Sequence, residues 1–148
     1  MRRFPTTAMA IALAAAFFYP SSVQASPACG DFLLALARKP PNLAFIECGQ
    51  GRKSQLRVLI ATYRVRGVHA SQVENYFNRN AKMAKLRFYC CGWEPDVRRT
   101  PPEGQLRNHQ KVEYEMTMES EETIISVRKN WNRIQWFYVS VTLFLEEA

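Results

Sequence analysis

The stretch QLRVLIATYRVR, residues 55–66, decides the fold class. Leu59, Ala61, Tyr63 and Val65 alternate with Ile60, Thr62, Arg64 and Arg66, the two-residue period of a β-strand. Its first half is apolar on both sides, which places it inside a sheet rather than at an edge. A second long strand closes the chain. In residues 134–145, Phe137, Val139, Val141, Leu143 and Leu145 alternate with Trp136, Tyr138, Ser140, Thr142 and Phe144. Two such strands make a sheet the organising element.

Working outward, residues 31–38 (DFLLALAR) read as a short helix. Asp31 can cap it, Phe32, Leu33 and Leu36 give it an apolar side, and Pro40-Pro41 stops it. Residues 43–48 read as a short strand followed by a Gly49-Gln50-Gly51 turn. Residues 71–81 read as a helix that opens on a Ser71-Gln72-Val73-Glu74 capping box and carries a Val73, Tyr76, Phe77, Ala81 stripe. LRFYCCGW, residues 86–93, reads as one strand. Leu86, Phe88 and Cys90 then share a face, opposite Arg87, Tyr89, Cys91 and Trp93. Residues 94–108, with three Pro and a Gly, read as a long loop. In KVEYEMTM, residues 111–118, Val112, Tyr114, Met116 and Met118 face inward and Lys111, Glu113, Glu115 and Thr117 face water. Residues 119–132 fit either a short helix or an extended connection. The pattern predicts an α+β fold: a curved, mostly antiparallel sheet with two helices on one face, stabilised by disulfides.

The chain has 148 residues, 47% apolar and 22% charged, with 6 Gly and 8 Pro, which excludes disordered and collagenous classes. Residues 1–25 have the form of a secretory signal peptide. Arg2 and Arg3 precede the apolar run Ala8–Phe18, Pro20 breaks it, and Val23-Gln24-Ala25 offers a cleavage site. That run is shorter than the roughly 20 residues a membrane-spanning helix needs. Residues 26–148 are then a single domain expected in the periplasm. All four cysteines, Cys29, Cys48, Cys90 and Cys91, lie in it, so two disulfides are expected. On a strand, Cys90 and Cys91 point to opposite faces and a bridge between neighbours closes a strained ring. They are therefore expected to take different partners, Cys29 and Cys48, in an order the sequence leaves open.

The formal net charge is +7, and +5 for residues 26–148, unevenly placed. Arg38 to Lys111 holds 15 bases and 5 acids; Val112 to Ala148 holds 3 bases and 7 acids. The bases fall on both expected sheet faces of an exported chain, which argues against a nucleic-acid partner. No phosphate loop, nucleophile elbow, Cys-x-x-Cys or His-Glu-x-x-His motif is present, so neither a catalytic residue nor a metal or other cofactor is expected. A hydrolase using Glu94, Asp96 or His109 is the weaker enzymatic reading. Trp93, beside Gly92 and ahead of the proline-rich loop, is expected as a partly exposed anchor. Glu94, Arg98, Arg99, Glu113 and Glu115 are the charged candidates for an interface that meets another protein.

The run Cys90-Cys91-Gly92-Trp93-Glu94-Pro95 resembles a family of small exported domains of Gram-negative bacteria with no assigned function. Cys29-Gly30-Asp31-Phe32-Leu33, Ala61-Thr62-Tyr63-Arg64-Val65 and Phe137-Tyr138-Val139-Ser140-Val141 add to the likeness, which spans most of 29–146. The resemblance implies export and paired cysteines and carries no catalytic residue. Size and compartment suggest a non-catalytic binding protein, such as an immunity protein or inhibitor directed at a secreted toxin or hydrolase. The alternative is an envelope domain that binds peptidoglycan or a lipid surface.

Overall fold

Gly49-Gln50-Gly51 does not turn. It runs extended inside β1 (Ala44–Lys53), and the chain reverses at Ser54-Gln55 into β2 (Leu56–Arg66). Ser54 and Gln55 both have positive φ, 48° and 70°, as the mirror-image turns of two-residue hairpins require. The expectation of a glycine turn failed because glycine tolerates an extended backbone as readily as a bend. The computed structural model describes residues 27–145, so the expected signal segment lies outside the described residues.

The other elements are α1 (Phe32–Ala35), α2 (Gly67–Asn80), β3 (Leu86–Tyr89), β4 (Gly92–Pro95), β5 (Gly104–Arg107), β6 (Glu113–Glu119), a 3-10 helix (Arg128–Arg133) and β7 (Trp136–Phe144). One sheet has the order β1-β2-β7-β6-β5, with every neighbour antiparallel, and β3 and β4 form a separate hairpin. This is the expected α+β class, with β2 in the sheet interior. Residues 119–132 resolve into a connection followed by the 3-10 helix rather than an α-helix.

The alternation read in the sequence sets the core. Leu59, Ala61, Tyr63 and Val65 of β2 lie on the same side as Phe137, Val139, Val141 and Leu143 of β7 and Met116 and Met118 of β6. Val73 and Phe77 of α2, Phe32 and Leu33 of α1, and Trp131 of the 3-10 helix cover that side. Val112, expected to face inward, precedes β6 and is partly exposed. The sheet is curled. Lys53 of β1 pairs with Glu115 of β6, although three strand spacings of about 4.8 Å separate the two strands.

Asp31 caps α1 as expected, accepting from the Leu34 amide at 3.0 Å. It also accepts from Tyr63 Oη at 3.0 Å and pairs with Lys39 at 2.6 Å. Burial pushes its carboxyl up, but the Lys39 ammonium, the Leu34 N–H and the Tyr63 hydroxyl outweigh that and hold it below its ordinary value. Burial, with Asp31 adding to it, pushes the Tyr63 phenol far above its ordinary value.

The start of α2 corrects the capping-box expectation. The helix begins at Gly67, four residues before Ser71. Gly67 packs so closely on the 3-10 helix that a Cβ there would overlap the Trp131 carbonyl. Glu74 is therefore inside the helix and only 2% exposed. Its Oε1 accepts from the Leu86 amide at 2.6 Å, and its Oε2 pairs with Arg128 Nη1 at 2.5 Å. Arg128 Nη2 donates to the Leu86 carbonyl at 2.6 Å, and the guanidinium lies 4.3 Å from the Trp131 ring centroid. One buried carboxylate thus ties α2, β3 and the 3-10 helix together.

Candidate functional site

The segment read as one strand, residues 86–93, is a hairpin. β3 and β4 pair with Phe88 opposite Trp93 and Tyr89 opposite Gly92, and Cys90-Cys91 forms the tip. This overturns the expected cysteine pairing. Cys90 bonds to Cys91, and Cys29 bonds to Cys48 with a Cα–Cα distance of 5.5 Å. Facing apart is a property of strand residues, and these two lie in the turn between strands, where both side chains are exposed. The same register puts Trp93 on the face of Phe88 rather than with Arg87 and Tyr89.

Trp93 is 5% exposed, so it is a core side chain and not the exposed anchor expected. Its ring packs edge-on to Phe88 at 5.6 Å and to Trp131 at 5.0 Å. Its Nε1 donates to the Ile125 carbonyl at 2.8 Å. Its backbone forms an isolated β-bridge to Ser120, with Trp93 N to Ser120 O at 2.8 Å and Ser120 N to Trp93 O at 2.9 Å. Gly92 makes this approach possible. Its φ is 153°, and a Cβ there would overlap the Ser120 carbonyl.

Trp93 in this way pins the loop that follows β6. Glu122 Oε1 accepts from the amides of Ile124 and Ile125 at 2.7 and 3.1 Å, and the Ile125 carbonyl receives the indole. On this anchored loop Ile124 is 86% and Val127 47% exposed. Between hairpin and loop lies a cleft of about 180 Å³ lined by the Cys90–Cys91 bridge, Tyr89, Trp93, Ser120 and the carboxylate residues Glu94, Glu119 and Glu121. The lining combines the disulfide and two aromatic residues with three glutamates. That arrangement suits the cationic end of a long side chain whose stem is apolar.

Of the charged candidates, only Glu94 lines this cleft. Arg98 folds back on Asp96, whose Oδ1 takes Arg98 Nε at 2.9 Å and whose Oδ2 takes Nη2 at 2.5 Å. Asp96 also accepts from Tyr89 Oη at 3.2 Å. The Arg98 guanidinium holds the Asp96 carboxyl far below the usual carboxylate range. Arg99 lies apart from the cleft, beside Lys82, Glu103 and the cis Thr100–Pro101 bond. Glu113 pairs with Arg107 across the β5–β6 hairpin, and Glu115 pairs with Lys53. The proline-rich loop is shorter than expected because Gly104–Arg107 forms β5. Sequence reasoning missed Ser120, Ile124 and Val127. The signal available was the adjacency of an acidic run, Glu119 to Glu122, to the apolar pair Ile124-Ile125.

Among the described residues, no group of three or more His, Cys, Asp or Glu is arranged to hold a metal ion, and no helix is long and apolar enough to cross a membrane. Residues 19–93, half of the chain, match the domain of unknown function DUF4952, and the chain belongs to that family. The matched region contains all four cysteines and ends at Trp93. No curated protein and no solved structure matches the sequence.

Proposed function

We propose that this DUF4952 protein is an exported, non-catalytic binding domain whose partner is another protein. Its docking surface is the loop around Ile124 together with the cleft beneath the Cys90–Cys91 tip. The observation that carries the reading is the 86% exposure of Ile124 on a loop fixed by Glu122 and Trp93. A large apolar side chain held out to water by a pinned backbone is a prepaid contact, because little entropy remains to be lost on docking. Glu94, Glu119 and Glu121 select a partner with a basic residue beside an apolar depression. Two disulfides and the leader-like residues 1–25 support export to the periplasm. An inhibitor or immunity protein acting on a secreted enzyme is the specific form this reading takes.

The test is capture from the periplasmic and secreted proteins of the source organism on immobilised, oxidised protein. Wild type is compared with Ile124→Asp and with Leu34→Asp, a control at another exposed apolar residue, 66% exposed. One stoichiometric partner, retained at high salt, lost with Ile124→Asp and kept with Leu34→Asp, supports the reading. No partner, or equal capture by all three proteins, refutes it.

A further inference from the structure

Several of the basic side chains have acidic partners. Lys39, Lys53, Arg87, Arg98, Arg107 and Arg128 each reach a carboxylate. Arg64, Arg66 and Arg133 reach none among the described residues. The topology gathers these three. Arg64 and Arg66 end β2, Arg66 lies opposite Trp136 at the start of β7, and Arg133 ends the 3-10 helix just before it. The guanidinium carbons of Arg64 and Arg66 lie 4.3 and 6.0 Å from the Trp136 ring centroid. Stacking of this kind orders a guanidinium while leaving its N–H donors free.

Arg66 and Arg133 border a cleft of about 420 Å³, completed by Gly67, Val68, His69, Asn132, Ile134 and Gln135. No carboxylate lines it. By register the nearest acids are Glu47, opposite Thr62 on the neighbouring strand β1, and Glu119, opposite Tyr138 and two strands from Arg64, and neither lines the cleft. Asn132, Gln135 and His69 can add further hydrogen-bonding groups. The first turn of α2 opens into the same space without a side-chain cap, a secondary contribution beside the arginines. Val68, in the lining, is 59% exposed.

We propose that this cleft binds a phosphate-bearing anion, gripped by Arg66 and Arg133 with Arg64 alongside. Phosphate fits better than a single carboxylate, because it offers three or four acceptor oxygens and up to two charges to forked donors that have no other counter-charge. The chemistry is shared by a lipid headgroup and by a soluble phosphate ester.

The experiment uses the oxidised protein with two probes. One is co-sedimentation with phosphatidylglycerol–phosphatidylcholine vesicles, set against phosphatidylcholine alone. The other is calorimetric titration with glycerol 3-phosphate. Arg66→Gln/Arg133→Gln is compared with Arg79→Gln/Lys82→Gln, which makes the same charge change at the other end of α2, and both are checked for unchanged melting. Affinity for the anionic vesicles should fall about 30-fold in the first variant and about twofold or less in the second. Arginine-dependent binding of the ester without vesicle binding supports the same cleft with a soluble source. Binding of neither probe, or equal losses in the two variants, overturns the proposal.

Discussion

Replacing Arg128 by Ala should be among the most damaging changes outside the apolar core. Glu74 is 2% exposed, and both its oxygens are occupied, one by the Leu86 amide and one by Arg128. The substitution leaves a buried carboxylate with one neutral donor. It also frees the Leu86 carbonyl and uncovers the faces of Trp131 and Trp93, over which Arg128 lies at 4.3 and 5.7 Å. Breaking a buried pair from one side costs about 3–5 kcal/mol. The Arg128 side chain is itself 41% exposed, so water partly screens the charge and the low end applies, about 3 kcal/mol. Loss of the stacked cation adds about 0.5–1 kcal/mol. Glu74→Gln keeps an acceptor for the Leu86 amide and should cost only about 1–2 kcal/mol. Glu74→Gln/Arg128→Ala should be markedly less damaged than the sum of the two single changes. Urea unfolding, followed by far-ultraviolet circular dichroism and tryptophan fluorescence, measures all three. A loss below about 1 kcal/mol in Arg128→Ala, or strict additivity in the cycle, would show that the carboxylate does not depend on this arginine.

Three other outcomes are expected. Ser54 and Gln55 hold positive φ without being glycine or asparagine, so Ser54→Asn/Gln55→Gly should raise stability by about 1 kcal/mol, with an unchanged denaturant slope. The two disulfides should differ greatly in worth. Cys29–Cys48 closes a separation of 19 residues, and its removal by serine substitution should cost about 3 kcal/mol, whereas neighbours are already tethered and Cys90→Ser/Cys91→Ser should cost less than about 1 kcal/mol. Equal losses would contradict that account. Asp31 has a folded-state pKa below its ordinary value, so it stabilises the fold above the unfolded-state pKa and the contribution fades as pH falls through the folded-state value. Melting temperature should therefore drop below about pH 4, and Asp31→Asn should flatten that drop while lowering stability at pH 7.

Where the reading from sequence held, the signal was local and periodic. The alternation in 55–66 and 134–145 identified two adjacent strands and their core faces, and Asp31 announced the cap of α1. Where it failed, a local pattern had more than one use. Ser71 and Glu74 are spaced as a capping box, yet Glu74 is drawn inward by Arg128, which lies 54 residues away. Cys90-Cys91 interrupts an apolar run without a glycine before it, so the run reads as a single strand. Only the Phe88–Trp93 pairing and the docking of Trp93 against Ser120 reveal the reversal.

The candidate sites show the same division. Sequence singled out Cys90 to Glu94 and an acid-rich last third, but nothing local says that Trp93 is bridged to Ser120. Arg64, Arg66 and Arg133 stood in the sequence as ordinary bases. The stacking of Arg64 and Arg66 on Trp136 arises from the β2–β7 register, and the 3-10 helix ending at Arg133 brings the third arginine to the cleft that Arg66 lines.

The sequence by itself determined the α+β class, the identity of the core strands and the residues available for cross-linking, because side-chain alternation and polarity act over two to four positions. Tertiary structure alone decided which cysteines bond, which charges are neutralised and where clefts open. Those depend on which distant backbones approach within hydrogen-bonding distance, a consequence of strand register and sheet curl that no short window of sequence contains.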